Sequence, residues 1–201
     1  MLTTELSDVE QGIMARLKRE TAQLHALLDK MVEPMLADVA RYRRLLAGLR
    51  DAYGLFEREL RRHAPLLAEA GYDVARRSKL GWLDDDLHFL DVRGPASIPV
   101  GYLLPNATAA FGAIYVIEGA TLGGQVIARQ VIPALALSRE RGCRFFTGYG
   151  VDTGDRWRET RESIAAHLAA IDASEAANAM IAAAKNTFSL IDAALRARMS
   201  S

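Results

Sequence analysis

The chain is poor in several things, and each shortage removes a class of protein. It has one cysteine, Cys143, in 201 residues. An internal disulfide and a zinc site built from several cysteines are therefore excluded, and a reducing, cytoplasmic setting is expected. Charge of one sign is not in excess: 25 Lys and Arg balance 25 Asp and Glu. A dedicated nucleic-acid binder normally carries a basic surplus, so that class is disfavoured. Long hydrophobic runs are missing. The longest, Ala107 to Ile117, includes Thr108 and closes at Glu118, well short of the ~18 residues of a membrane span. The first residues (Thr3, Thr4, Glu5, Ser7, Asp8, Glu10) lack the basic start and apolar core of a secretory signal. Neither strand-like alternation of useful length nor an internal repeat is visible.

What is present is helical periodicity. Half of the residues are apolar, which is a globular composition, and the length suits one domain over 1–201 with 1–7 as a flexible tail. Ser7-x-x-Glu10 reads as a capping box. Leu17, Leu24, Leu28 and Met31 follow at threes and fours, which predicts a first helix over about 8–31, ended by Pro34. Asp38 is placed to cap a second helix over about 39–63, with Leu45, Leu49, Phe56 and Leu60 inward. A third helix is expected near 76–91. The stretch 92–105, with Gly94, Pro95, Pro99, Gly101 and Pro105, reads as a loop. Asn106 can cap a long helix to about 135, and residues 138–153 read as a structured loop around Phe145, Phe146 and Tyr149. Two helices, about 154–171 and 174–198 with Ser174 as a cap, complete an all-α bundle.

Three groups of residues carry chemical interest. His25 sits mid-helix with Thr21 four residues before it and Asp29 four after, so the three share a face. A neutral imidazole there can ligate a metal through one nitrogen while Asp29 holds the other. The plainer reading is a partly buried His satisfied by its own carboxylate. The second group is Gly119, Gly123 and Gly124 inside the long helix expected after Asn106. Each mid-helix Gly costs about 1 kcal/mol against Ala, hence about 3 kcal/mol for the set. Either something flat or bulky approaches the bare backbone, or another helix packs tightly there. The third group is basic. Lys18 lies two turns before His25 on nearly the same face, and Arg158 and Arg161 share a face of the penultimate helix, where paired Arg suits carboxylates. Solvated surface charge is the plainer reading of each. The run Asp84-Asp85-Asp86 reads as a solvated helix face, His63 as a helix-end cation and His167 as a surface or packing residue.

Two of these segments together are specific. Leu17-Lys18-x-x-Thr21-x-x-x-His25 and Glu118-Gly119-Ala120-Thr121-Leu122-Gly123-Gly124-Gln125-Val126 resemble heme oxygenase. The likeness extends to Phe145-Phe146 with the Gly-rich loop after it and to Ala184-Lys185-Asn186-Thr187-Phe188, covering about 17–195. The Glu-Gly-x-Thr-Leu-Gly-Gly form resembles the bacterial, biliverdin-producing branch associated with bacteriophytochromes. The resemblance implies an all-α fold with heme between a proximal N-terminal helix and a kinked, Gly-rich distal helix. It implies His25 as the axial iron ligand and Asp29 as its partner. Gly119, Gly123 and Gly124 would lie against the porphyrin, with Gly119 and Gly123 leaving room for oxygen chemistry. Lys18 and Arg158 or Arg161 would meet the propionates, and Phe188 the heme edge. The implied activity consumes heme as both cofactor and substrate. It uses O2 and an external electron donor such as a ferredoxin or reductase, and releases biliverdin, CO and ferrous iron. One departure stands out: some members carry an aspartate directly after the first distal glycine, and here that residue is Ala120. A heme carrier or sensor without ring cleavage is therefore the competing expectation. A thiaminase-like hydrolase on this fold class would need a nucleophilic cysteine beside carboxylates, and Cys143 in its Gly-Arg loop is a poor candidate.

Overall fold

The computed structural model describes residues 2–92, 101–171 and 173–200, with the side chains of 2–6 and 173 left aside. Among the described residues there are eight α-helices and no strand. They are α1 (Leu2–Val32), α2 (Val39–Arg62), α3 (Ala64–Glu69), α4 (Leu80–Phe89), α5 (Ala107–Ala134), α6 (Arg144–Thr147), α7 (Thr153–Ala169) and α8 (Ala173–Met199). The expected all-α class is what the chain adopts. Gly94, Pro95 and Pro99 of the expected loop lie outside the described residues.

Local signals placed two helix starts correctly. Asp38 is extended and its carboxylate accepts the Arg41 amide at 2.8 Å, and Asn106 does the same for Ala109 at 2.9 Å. Other starts differ. The first helix begins at Leu2, so Ser7 lies inside it and its hydroxyl accepts from Gln11 instead of capping. The capping-box partner Glu10 reaches Arg161 on α7 at 3.1 Å. Ser174 lies in the first turn of α8 and not ahead of it. The expected 76–91 helix is shorter, because its start is set by a distant group. The Glu57 carboxylate on α2 accepts the amides of Lys79 (2.6 Å) and Leu80 (3.0 Å), fixing the first turn of α4 there.

The acidic run on α4 is not uniformly solvated. Asp86 is buried, and its two oxygens accept the Arg144 and Phe145 amides, both at 2.8 Å, which starts α6. Burial outweighs these bonds and pushes the Asp86 carboxyl up to about 6. A folded-state value above the ordinary 3.8 favours the protonated fold. Its contribution is complete below the ordinary value and is lost as pH rises through about 6. Asp86→Asn removes that titration. Wild type should therefore lose melting temperature relative to Asp86→Asn as pH rises from 4 to 6, and a flat difference would refute the assignment.

α8 is the spine of the bundle, packed on α5, α2 and α1. Two close approaches depend on glycines that sequence reading did not single out. A Cβ on Gly48 would meet Leu195 Cδ2 at 2.8 Å and Ala194 O at 3.2 Å. A Cβ on Gly112 would overlap the Met180 carbonyl and touch Ala183 Cβ at 3.0 Å. Gly112→Ala is expected to lose about 1–3 kcal/mol of unfolding free energy despite its better helix propensity, because α5 and α8 must move apart. Urea denaturation measures it.

By length and composition α5 could cross a membrane, but it is the packed core helix of this bundle, lying against α7 and α8. Its buried face includes Phe111, Ile114 and Ile117.

Candidate functional site

α1 and α5 both pack on α7 and α8, and the candidate site residues lie chiefly on these two long helices. On α1, Thr21 is buried and its hydroxyl donates to the Leu17 carbonyl at 2.7 Å. One turn on, His25 Nδ1 lies 2.9 Å from Asp29 Oδ2. The His25 side chain is 63% exposed, so it is not the partly buried residue of the plainer reading, although it does pair with its own carboxylate as that reading expected. Asp29 engages Nδ1 and thereby favours the tautomer with a proton there, leaving Nε2 as the outward lone pair. The Phe188 ring stands edge-on to the imidazole, centroids 5.9 Å apart.

On α5 the helix runs unbroken through the glycine segment. The structure separates the three glycines by what a side chain would touch. A Cβ on Gly119 would meet only the Trp157 ring, at 3.8 Å, and one on Gly123 would meet nothing within 4 Å. Gly124 is different: its Cβ would fall 3.1 Å from the Phe146 carbonyl. Gly124 is thus accounted for by packing on α6, whereas Gly119 is only edged by the Trp157 ring of α7 and Gly123 has nothing against it. Tight helix packing is met instead at Gly48 and Gly112. Beside Gly123 lie Leu122 (38% exposed) and Val126 (59% exposed). Together with the two glycines they form an apolar strip open to solvent.

Tyr115, one turn before Gly119, is half-buried, interacts with the Thr21 side chain and so links α5 to α1. Trp157 packs 5.8 Å from the Tyr115 ring and also borders Gly119. Sequence reading missed both aromatics. The spacing of Tyr115 four residues before Gly119 was the available signal for the first, while Trp157 comes from a different helix and had none.

The basic candidates differ in their engagement. Arg158 is exposed and paired with Asp155 at 2.6 Å. Arg161 is paired with Glu10, and its Nε is buried without a hydrogen-bond partner. Lys18 is exposed and, among the described residues, is the one of the three with no acidic partner.

The remaining candidates are structural. Burial pushes the Cys143 thiol up to about 11, so it is no nucleophile near neutral pH. His63 caps the end of α2 and bonds the Leu104 carbonyl at 2.7 Å. His167 is half-buried, within 2.9 Å of Thr108 Oγ1 and beside Phe111. Among the described residues no cluster of three or more His, Cys, Asp or Glu could hold a bare metal ion. A single oriented His suits an iron that brings its own four nitrogens.

With the helices and the site described, the chain can be set beside known proteins. No family model matches it, and no curated protein matches its sequence. Among the solved structures that match its fold are two that cover nearly the whole chain. One is the heme oxygenase of Neisseria meningitidis, determined with NO and CO bound: TM-score 0.76, 20% identity, 94% of this chain and 92% of that one. The other is the heme oxygenase of Leptospira interrogans: TM-score 0.72, 18% identity, 91% of this chain and 98% of that one. The class defined is an all-α multi-helix bundle. The particular fold is that of the bacterial heme oxygenases.

Proposed function

We propose that this chain, acting as one domain in the cytoplasm, is a heme oxygenase that binds heme between α1 and α5. It opens the ring to biliverdin, releasing CO and ferrous iron. The observation that supports this most is the pairing of an exposed, carboxylate-oriented His25 with a Cβ-free strip at Gly119 and Gly123. Heme supplies the iron at which O2 is activated and is itself the ring that is cleaved.

The chain's own residues bind and orient. His25 Nε2 is the donor available to iron, and Asp29 holds its tautomer. Gly119 and Gly123 let the α5 backbone lie against a flat ring with no side chain between. Phe188 borders the imidazole and would meet the ring edge. Lys18 is the first choice for a propionate. Arg158 and Arg161 can serve only by sharing or exchanging their present carboxylates. Gly124 would act indirectly, by seating α5 on Phe146. Electrons come from an external donor such as a ferredoxin or reductase, and a bacteriophytochrome is the proposed acceptor of biliverdin.

Ala120, exposed beside the glycine strip, has no proton to offer. That observation favours a second reading, a heme carrier or sensor that does not cleave the ring. One optical experiment separates the two. Hemin is added to the apoprotein, then reductant under air. Loss of the Soret band with growth of a broad red band is the expected result. A Soret band that survives repeated reduction would leave the carrier.

A further inference from the structure

Behind the glycine strip, on the adjoining flank of α5, lies a buried charged cluster that the proposed chemistry does not use. Glu118 and Lys79 are each 1% exposed at the side chain. Glu118 Oε1 accepts from Lys79 Nζ at 2.7 Å, from Tyr72 at 2.9 Å and from Tyr149 at 3.2 Å. Lys79 Nζ also donates to Tyr149 at 3.0 Å. Glu118 Oε2 lies 3.6 Å from Arg77 Nη1, without a hydrogen-bond partner among the described residues. Burial raises both phenols above their ordinary value, so they remain protonated donors. Two turns along the same flank, Gln125 Nε2 donates to the Gly150 carbonyl at 2.7 Å and to Thr153 Oγ1 at 2.8 Å.

A buried ion pair is a weak device for stability, since apolar replacements of similar volume are often as stable. What it supplies is direction. Gly119 and Gly123 carry no side chain that could interlock with a neighbour, so at these two positions α5 does nothing to resist rotation; on that face it is Tyr115, one turn before, that meets α1 and α7. With about 100° between successive residues, Gly119 and Gly123 lie about 40° apart, Leu122 about 60° to one side of Gly119 and Ala120 about 100° to the other. A modest roll toward Leu122 would put a branched side chain where the bare backbone now faces out.

We propose that Glu118 is a positioning residue: anchored by Lys79, Tyr72 and Tyr149, and seconded by Gln125, it sets the roll of α5 so that Gly119 and Gly123, and not Leu122, face the ligand. The consequence for a flat macrocycle rests on the function proposed above; the anchoring of the helix does not.

The test uses the full chain with Lys79 and Glu118 replaced together, Lys79→Met with Glu118→Leu, so that no lone charge is left buried. The melting temperature of the apoprotein is expected to stay close to wild type. Hydrogen exchange in the segment 116–127 should accelerate, and hemin binding should weaken by at least about tenfold. Adding Leu122→Ala to that variant should recover most of the lost affinity, which a merely structural role of the pair would not predict. Wild-type exchange and hemin affinity in the folded double variant would overturn the proposal, as would loss of affinity without recovery by Leu122→Ala. If the double variant does not fold, Gln125→Leu, which leaves the pair intact, is read the same way, with the same rescue. If wild-type protein takes up no hemin, the function proposed above fails. Apoprotein exchange alone then decides the anchor: faster exchange supports it and unchanged exchange removes it.

Discussion

His25→Ala is expected to abolish five-coordinate histidine ligation of added hemin and nearly all ring opening, while leaving the apoprotein as stable as before. The stability half follows from exposure. The imidazole is 63% exposed, and alanine is the best helix former, so nothing in the core is disturbed. The binding half follows from the ligand's place in the site. Losing only the carboxylate that orients a metal-bound His typically costs about 10–100-fold in affinity, so losing the ligand itself must cost more. Added imidazole should restore part of the optical signature by filling the gap. Asp29→Ala should give a smaller loss in the same direction. Full turnover by His25→Ala without imidazole would remove His25 from the site and with it the main support for the proposed function.

The second large effect has two signs. Gly123→Ala should raise apoprotein stability by about 1 kcal/mol, since a mid-helix glycine is relieved and the new Cβ meets nothing within 4 Å. The same change should weaken hemin binding, and Gly123→Leu should abolish it, because the side chain occupies the space against the α5 backbone. This is the behaviour of a residue kept for function at the expense of stability. Gly112→Ala makes the control, with the opposite stability sign and an internal cause. Thermal melts and hemin titrations of the two variants side by side decide the matter. A Gly123→Leu protein that binds hemin as wild type does would show that the open strip of α5 is not a ligand face.

The helices whose limits were legible are those with local chemistry at their ends. Asp38 and Asn106 cap the turns beside them, and Pro34 stops α1 near Val32. The limits that were not legible are set across space. Glu57 starts α4 from α2, and Asp86 starts α6 from α4. No window of neighbouring residues contains that information. The same division runs through the site. The i,i+4 relation of His25 and Asp29 is a property of any helix, and it appears at 2.9 Å. Glu118, sequence neighbour of the glycines, was read as the end of an apolar run and as the first residue of the glycine motif, with no role of its own. Its partners lie on two other segments, Tyr72 and Lys79 between α3 and α4 and Tyr149 after α6, and the role proposed for it depends on bringing them together.

The sequence by itself determined that the chain is helical, and it put His25 with Asp29 on one helix face and three glycines on another segment. Periodicity and residue type act within a few turns, and these features need no more range than that. Only the tertiary structure decided which glycines are open. Gly124 is filled by Phe146 and Gly112 by the backbone of α8, while Gly119 is only edged by the Trp157 ring and Gly123 meets nothing. The cost of a glycine in a helix is local, but what offsets that cost is whatever lies across from it, and that is fixed by packing between segments far apart in the chain.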